Sequence, residues 1–409
     1  MMRKIFGSIL VLAIVGAVIF FGFAPRWAEE SMNKIDGQPL IEVSDEAKAL
    51  HATLTIIDLH SDTLMWNRDV TQAGSRGHMD LPRLQQGNVA LQVFSSVTKT
   101  PKNQNYDSNS AESDNITLLT IAQMQPIKTW HSLLQRSVWH AQKLAKAEGE
   151  SGGELIGVRS SADVDGLLGQ RKVKGPQYVG ALLSVEGLHD LEGDIDNLDA
   201  LYEHGFRMAG FTHFFDNALA GSMHGEKKSG LTEMGREAVR RMERKGMIVD
   251  IAHCSHQCVA EILAMARRPV VSSHGGVQAT CKVNRNLTDD EIRGVARTGG
   301  VIGVGYWEGA VCSTDPRATA KAMKHIRDLV GIETVALGSD YDGATTVRFD
   351  TSQLVQVTQA LMDEGFTADE IRAAMGGNAL RVISRGLQPM VEGDAVLPED
   401  RPGQQDAAS

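Results

Sequence analysis

Seven side chains of this sequence are of the types that bind catalytic metal ions. A histidine and a carboxylate lie two residues apart in the stretch Ile56-Ile57-Asp58-Leu59-His60-Ser61-Asp62. In an extended chain, residues two apart point to the same face, so His60 and Asp62 can bind one ion together. The other candidates each follow an apolar run, and they are Glu186, His213, His253, His274 and Asp340. Singly, each is more often a structural residue; as a converging set they predict a metal site.

The number of candidate ligands favours two metal ions over one. A single catalytic zinc needs three protein ligands and a water. Two ions that share a bridging carboxylate would use most of the set, and such a pair can hydrolyse an amide without a Ser or Cys nucleophile.

Eight apolar runs, alternating with helical patterns, would position these residues. The runs are nearly continuous, as in parallel strands that are buried on both faces. They cover residues 55–59, 89–97, 179–185, 207–212, 247–252, 269–273, 300–306 and 335–339. This α/β pattern predicts a (β/α)8 TIM-like barrel, whose site forms at the carboxyl ends of the strands. The candidates follow the first, third, fourth, fifth, sixth and eighth runs.

The alternation is interrupted between the second and third runs. Residues 98–178 separate them, and much of 115–148 has helical periodicity, with Leu134, Val138, Ala141 and Ala145 on one stripe. We therefore expect a helical insertion at this point of the barrel.

The N-terminus predicts a membrane segment. Twenty residues, 5–24, follow Arg3 and Lys4 without a further charge. At about 1.5 Å per residue they would cross the roughly 30 Å apolar core of a bilayer. A cleaved signal peptide typically has a shorter apolar region, and no clear Ala-x-Ala site follows. We expect residues 1–24 to be an uncleaved transmembrane signal-anchor, with the catalytic part facing the periplasm or cell exterior; secretion after cleavage is the alternative.

Composition divides the remaining chain and excludes one class of partner. Residues 25–50 are predicted to be a linker and an entry helix capped by Ser44, and residues 51–389 the barrel. Residues 390–409 are polar and rich in Gly, Pro and Asp, so we expect a disordered tail. A net charge of -10 argues against nucleic acid as the main partner.

These motifs together resemble the membrane dipeptidase (renal dipeptidase) family of the amidohydrolase-like metal-dependent hydrolases. The resembling motifs are His60-Ser61-Asp62, residues 77–84, Val185-Glu186-Gly187-Leu188-His189, Thr212-His213, Ile251-Ala252-His253, Ser273-His274, Asn284-Arg285-Asn286, residues 338–343 and Gly377-Asn378. Two segments depart from the family: Met65 replaces a proline expected before Trp66, and residues 306–309 also differ. Both would line side-chain pockets, so they leave the substrate preference open.

The resemblance implies a zinc-dependent dipeptidase in which a hydroxide bridging two zinc ions attacks the peptide bond. One zinc would be held by His60 and Asp62 and the other by His253 and His274. Glu186 would bridge the two ions. His213 would contact the substrate and the developing oxyanion, and Arg285 would bind the terminal carboxylate of the substrate. Asp340 would carry a proton to the leaving amine.

The implied partner is a dipeptide, and the resemblance suggests tolerance of a D-residue at its C-terminal position. Another amidohydrolase on the same barrel, a deacylase or lactonase, is the main alternative; a catalytically silent binding protein is the second. Against them stand Arg285, which favours a carboxylate-bearing substrate, and the complete ligand set. The sequence leaves the oligomeric state open, with a homodimer as one alternative.

The four cysteines fall into two pairs. Cys281 and Cys312 follow the sixth and seventh strands, which are neighbours in a barrel, so an oxidising compartment would allow a disulfide between them. Cys254 and Cys258 flank His256, but we interpret them as small buried residues rather than as a second metal site. His78 and Asp80 are expected to structure a loop, and His189 to lie outside the catalytic set.

Overall fold

The computed structural model describes residues 2–390, and at its centre eight parallel strands form a closed barrel. Each strand pairs with the next in the sequence, and the last pairs with the first through Leu337 and Asp58. The predicted (β/α)8 barrel is confirmed. The strands are β1 Ile56–Asp58, β2 Val89–Val97, β3 Val179–Glu186, β4 Phe206–Gly210, β5 Ile248–Asp250, β6 Val271–Gly275, β7 Val301–Val304 and β8 Val335–Leu337.

Several strands are shorter than the apolar runs that predicted them. The run at 247–252 contains β5 at Ile248–Asp250, and the run at 300–306 contains β7 at Val301–Val304. For β5 and β8 the reason lies in the backbone just beyond the strand. His253 and Asp340, three residues after these strands, have φ angles of 63° and 55°, a left-handed conformation that costs free energy and cannot continue a strand.

Helices surround the barrel and bury their apolar faces against it. Asp289–Arg297 begins with a reciprocal capping box between Thr288 and Glu291. Glu233–Lys245 is capped by Thr232, whose side chain accepts a hydrogen bond from Gly235 N. The other outer helices are Leu81–Gln86, Asn197–Glu203, His256–Met265, Glu308–Val311, Pro316–Val330, Val355–Asp363, Ala368–Arg372 and Asn378–Gly386.

The predicted helical insertion lies between β2 and β3. It contains the helices Ile116–Ala122, Leu133–Glu150 and Ser161–Lys174. The insertion also carries a strand that the sequence did not predict, Leu155–Gly157, which pairs with β3 outside the closed barrel. Three residues that end in glycine are too short a run to give a strand signal.

The N-terminal helix is longer than the predicted anchor. Met2–Val18, a π-helical turn at Ile19–Phe23 and Ala24–Met32 follow one another without a break. The segment Lys4–Met32 is long and apolar enough to cross a membrane by its length and composition. The boundary expected at residue 24 therefore falls inside the helix. Pro25 is tolerated because it lies in the first turn of the last segment, directly after the wide π-helical turn.

The segment after this helix is attached to the barrel. Lys34–Ile35 pairs in parallel with Thr346–Val347, and the entry helix Asp45–His51 is capped by Ser44. The end of the chain from residue 391, which holds nearly all of the predicted disordered tail, lies outside the described residues.

Candidate active site

The predicted metal ligands lie close together at the carboxyl rim of the barrel. Glu186, the last residue of β3, is at the centre: its Oε1 lies 2.9 Å from His253 Nε2 and 3.3 Å from His274 Nε2. The Oε2 atom of Glu186 lies 3.6 Å from His60 Nε2, which is 3.3 Å from Asp62 Oδ1. His213 Nε2 lies 3.6 Å from Glu186 Oε1. Residues from four other strand ends thus meet around the carboxylate of Glu186.

Atoms of this cluster lack the hydrogen bonds that buried polar groups normally have. His60, Asp62 and Glu186 are each at most 4% exposed, yet among the described residues His60 Nε2, Asp62 Oδ1 and Glu186 Oε2 have no hydrogen-bond partner. The Nε2 atoms of His253 and His274 also point at each other, 2.9 Å apart. Burying the unpaired atoms of His60, Asp62 and Glu186 is unfavourable unless a cation is bound between them. The donor set therefore fits divalent metal ions.

Potential ligand atoms form three overlapping groups in which all lie within 4.8 Å of one another. The groups are His60, Asp62 and Glu186; Glu186, His213 and His253; and His60, His274 and Asp340. Glu186 belongs to two groups, as a bridging carboxylate would. Asp340 and His213, for which the sequence implied roles in proton transfer and substrate contact, also lie within reach of a metal.

Burial and the neighbouring charges shift the pKa values of the three carboxylates. Burial, followed by repulsion from Glu186, raises the pKa of Asp62 to about 7. Burial and the neighbouring Asp62 raise the pKa of Asp340 well above its usual range. Burial opposes ionisation of Glu186 as well, but His213 and His60 outweigh it and hold the pKa of Glu186 well below normal. Bound cations would favour the ionised form of all three carboxylates.

Two buried aspartates, which the sequence analysis did not single out, hold the strand ends that carry the ligands. Asp58 Oδ1 accepts hydrogen bonds from the backbone N–H groups of His60 at 3.0 Å and Ser339 at 3.1 Å, joining β1 to β8. Asp250 Oδ1 accepts from Ala252 N at 3.0 Å and Ser273 N at 2.9 Å, joining β5 to β6. The sequence signal that could have identified them is that β1 and β5 are apolar strands that each end in an aspartate.

Hydrogen bonds also orient two of the imidazoles. His274 Nδ1 lies 2.9 Å from Ser273 Oγ, and His213 Nδ1 lies 3.4 Å from the carbonyl oxygen of Lys99. These contacts leave both Nε2 atoms directed at Glu186. Ligand histidines in metalloproteins are commonly oriented through the second ring nitrogen in this way.

A cavity of about 780 Å³ opens onto the cluster. The residues that line it include Asp62, Glu186, His213, His253, Arg285 and Asp340. The Arg285 side chain is buried, with its guanidinium 4.7 Å from the centre of the Trp307 ring. The described residues provide no partner for its Nε atom. A cavity of this size suits a small ligand, and a guanidinium group in its wall is of the type that binds carboxylates.

The loop that carries Arg285 is covalently joined to the loop after β7. Cys281 and Cys312 form the predicted disulfide. Cys254 and Cys258 are free and buried, as expected. The nearby His256 lies 2.6 Å from Glu291, so its side chain does not form a Cys/His site with them.

The remaining singled-out residues have the structural surroundings expected of them. Asp80 caps the helix Leu81–Gln86, and His78 Nδ1 accepts a hydrogen bond from Asp342 N at 3.1 Å. His189 Nε2 lies 2.9 Å from Thr98 Oγ1, outside the ligand cluster.

Comparison with known proteins identifies relatives over most of the chain. The model of the family described as Membrane dipeptidase (Peptidase family M19) matches residues 44–388. Dipeptidase aclJ of Aspergillus oryzae is 29% identical over 349 residues, which make up 80% of this chain and 77% of that protein.

Solved structures share the fold at lower identity. A metallopeptidase from Rhodobacter sphaeroides, liganded with a phosphinate mimic of the dipeptide L-Ala-D-Ala, is 21% identical with a TM-score of 0.69, covering 82% of this chain and 99% of its own. The probable dipeptidase PvdM from Pseudomonas aeruginosa is 18% identical with a TM-score of 0.69, covering 84% and 98%.

Proposed function

The chain belongs to the membrane dipeptidase family of metallopeptidases, and we propose that it hydrolyses dipeptides with two zinc ions held by His60, Asp62, Glu186, His253 and His274. The observation that carries the proposal is the meeting of imidazoles from separate strands on Glu186, with His253 and His274 both within 3.3 Å of Oε1. Bound between these ligands, two ions would supply a hydroxide nucleophile at neutral pH and polarise the peptide carbonyl.

Arg285 would hold the substrate by its terminal carboxylate. Its guanidinium lines the cavity that contains the ligand cluster, and its planar fork can bind both carboxylate oxygens. Trp307, against which the guanidinium stacks, would keep the fork in place. Fixing the carboxylate sets the distance to the scissile bond, so a dipeptide would be positioned for cleavage and a longer peptide would not.

His213 and Asp340 would handle the charge and the proton of the reaction. His213 Nδ1–H faces the carbonyl oxygen of Lys99, so Nε2 would donate to the developing oxyanion when the ring is protonated, a form that burial opposes and the nearby Glu186 favours. Asp340 lies within reach of His60 and His274 and lines the cavity. Its carboxylate could accept a proton and then donate it to the leaving amine.

The cellular location and the stereochemistry of the substrate are parts of the same proposal. The helix Lys4–Met32 would anchor the enzyme with its barrel in the periplasm or outside the cell. Recovery of the membrane-extracted protein without its first 24 residues would instead indicate secretion. Tolerance of a C-terminal D-residue is supported by the solved relative that carries a mimic of L-Ala-D-Ala.

A substrate panel with the purified full-length protein tests the proposal. We expect hydrolysis of L-Ala-L-Ala and L-Ala-D-Ala, at least tenfold slower hydrolysis of L-Ala-L-Ala-L-Ala, and little hydrolysis of N-acetyl-L-alanine. A chelator should abolish the activity and zinc should restore it. Equal turnover of the tripeptide would refute the carboxylate role of Arg285. Preference for N-acetyl-L-alanine would indicate a deacylase.

A further inference from the structure

The N-terminal helix does more than reach the membrane, because its last turns line the cavity of the candidate active site. Residues from this helix occur in the cavity wall together with Asp62 and Asp340. They are Phe20, Ala24, Pro25, Trp27, Ala28 and Met32.

Three of these residues lie on one face of the helix. Ala24, Ala28 and Met32 are spaced four residues apart, and residues with this spacing share a helix face. Ala28 also packs against a buried apolar cluster that includes Met65 and Trp66. The side facing away from the cavity carries Glu30, which forms an exposed ion pair with Arg26. The helix therefore presents a narrow apolar face to the cavity and a polar face to solvent.

A buried ion pair fixes this face against the barrel. Glu29 is 1% exposed, and its two oxygens lie 2.5 Å from Arg68 Nε and 2.5 Å from Arg76 Nε. Arg68 also pairs with Asp342. Asp342 is two residues from Asp340, and its Oδ2 accepts a hydrogen bond from Thr63 Oγ1 at 2.7 Å. The contacts thus connect the helix to the loop that carries a proposed catalytic carboxylate.

One side-chain hydrogen bond and a short backbone pairing fix the end of the helix to the same loop. Asn33 Oδ1 accepts a hydrogen bond from Ala344 N at 2.9 Å. The following Lys34–Ile35 forms a two-stranded sheet with Thr346–Val347. A helix that served only as an anchor would need neither a buried carboxylate nor these contacts.

We propose that the segment Ala24–Met32 is a specificity-determining wall of the active site, with Ala28 and Met32 limiting the size of one substrate side chain. The proposal rests on the dipeptidase function proposed above. The wall is apolar, and Leu118 and Leu119 of the insertion line the cavity with it. The side chain accepted here is accordingly apolar, and its size depends on how far residues 28 and 32 extend into the cavity.

Paired substitutions in the full-length, detergent-extracted protein test this wall. The readout is the ratio of kcat/KM for L-Leu-L-Leu to that for L-Ala-L-Ala. Ala28→Leu narrows the cavity and should lower the ratio about tenfold, since a misfit of a few methylenes in an apolar pocket costs at least that much. Met32→Ala widens the cavity and should raise the ratio at least threefold. Glu30→Leu introduces the same side chain on the outer face and should leave the ratio unchanged.

The outcomes separate this proposal from the one on which it rests. If the unsubstituted, zinc-loaded protein cleaves neither dipeptide, the dipeptidase function itself fails, and the wall fails with it. If it cleaves both and the two cavity-facing variants change both kcat/KM values in parallel, only the wall is refuted. If Ala28→Leu fails to fold, the result for Met32→Ala alone decides whether the wall limits the substrate side chain. Met32→Ala is expected to fold, because it removes atoms from a half-exposed side chain and adds none.

Discussion

Glu186 joins two ligand groups because imidazoles from strands on both sides of it point at its carboxylate. The contact with His253 Nε2 at 2.9 Å lies on one side, and the contact with His60 Nε2 at 3.6 Å on the other. Asp62 contributes to the His60 side alone. At the scale of single residues, the proposed two-zinc arrangement therefore predicts that loss of Asp62 weakens the binding of one ion and not of the other.

Replacing Asp62 by Ala should reduce the zinc content after dialysis from two toward one per chain, because His60 and Glu186 alone make a weak site. Elemental analysis of the purified protein measures this. Asp69→Ala, which removes an exposed carboxylate from the same loop region, should leave the content at two. Two zinc ions in the Asp62→Ala protein would show that the site is divided differently.

Asp340 lies where it could either bind a metal or move a proton. Asp340→Asn keeps the shape of the side chain and removes its ability to transfer a proton, so we expect kcat to fall about a hundredfold to ten-thousandfold with the zinc content intact. The measurement pairs steady-state kinetics with metal analysis. A parallel loss of one zinc would instead identify Asp340 as a ligand beside His60 and His274.

Asp58 stabilises the site without facing the cavity. Asp58→Ala removes the acceptor of two buried N–H groups, those of His60 and Ser339, and should lower the free energy of unfolding by about 2–4 kcal/mol. Asp58→Asn retains an Oδ1 acceptor and should lose less. Denaturant unfolding of the two variants, compared with wild type, measures the difference. Equal losses would mean that the charge of Asp58, rather than its hydrogen bonds, stabilises the fold.

At the scale of elements, the eight strands were predictable because each is a nearly continuous apolar run, and six of these runs are followed by a candidate site residue. The convergence of His60, His253 and His274 followed from that order, since parallel strands of a barrel end at the same rim. Strand lengths were not predictable, because they depend on where the backbone leaves the strand conformation, as at His253, a left-handed residue directly after the apolar run 247–252.

Contacts between distant segments were also beyond the sequence. Nothing in the pattern around Glu29 indicated pairing with Arg68 and Arg76, because a glutamate after an apolar helix is ordinarily solvated. The extent of the N-terminal helix was also beyond the sequence. The anchor was expected to span residues 1–24, whereas the helix continues to Met32, because the π-helical turn before Pro25 accommodates the proline ring.

The disulfide joins two loops of neighbouring barrel elements, and its removal should loosen the loop that carries Arg285. Cys281 and Cys312 are 31 residues apart in the sequence, and closing a loop of that length stabilises a fold by about 2–4 kcal/mol. A Cys281→Ser, Cys312→Ser double variant should show a lower Tm and a higher KM for dipeptides. Replacing the free pair, Cys254 and Cys258, by Ala is the matched control for the KM. An unchanged KM in the disulfide variant would indicate that other contacts hold Arg285.

At the scale of the whole molecule, one barrel brings candidate metal ligands, Arg285 and the end of the N-terminal helix to a single cavity. One part of the cavity wall is polar, with Asp62, Glu186 and Asp340, and another part is apolar, with Ala28 and Met32. Such a division suits a short substrate with charged backbone termini and apolar side chains.

Zinc titration of the metal-free protein is the most direct test of whether two zinc ions act together in hydrolysis. The full-length protein is stripped with a chelator, zinc is added back in measured equivalents, and hydrolysis of L-Ala-L-Ala is followed. Two cooperating ions predict little activity up to about one equivalent and a plateau at two. Undiminished hydrolysis in the stripped protein, or full activity with one bound zinc, would contradict hydrolysis by two zinc ions.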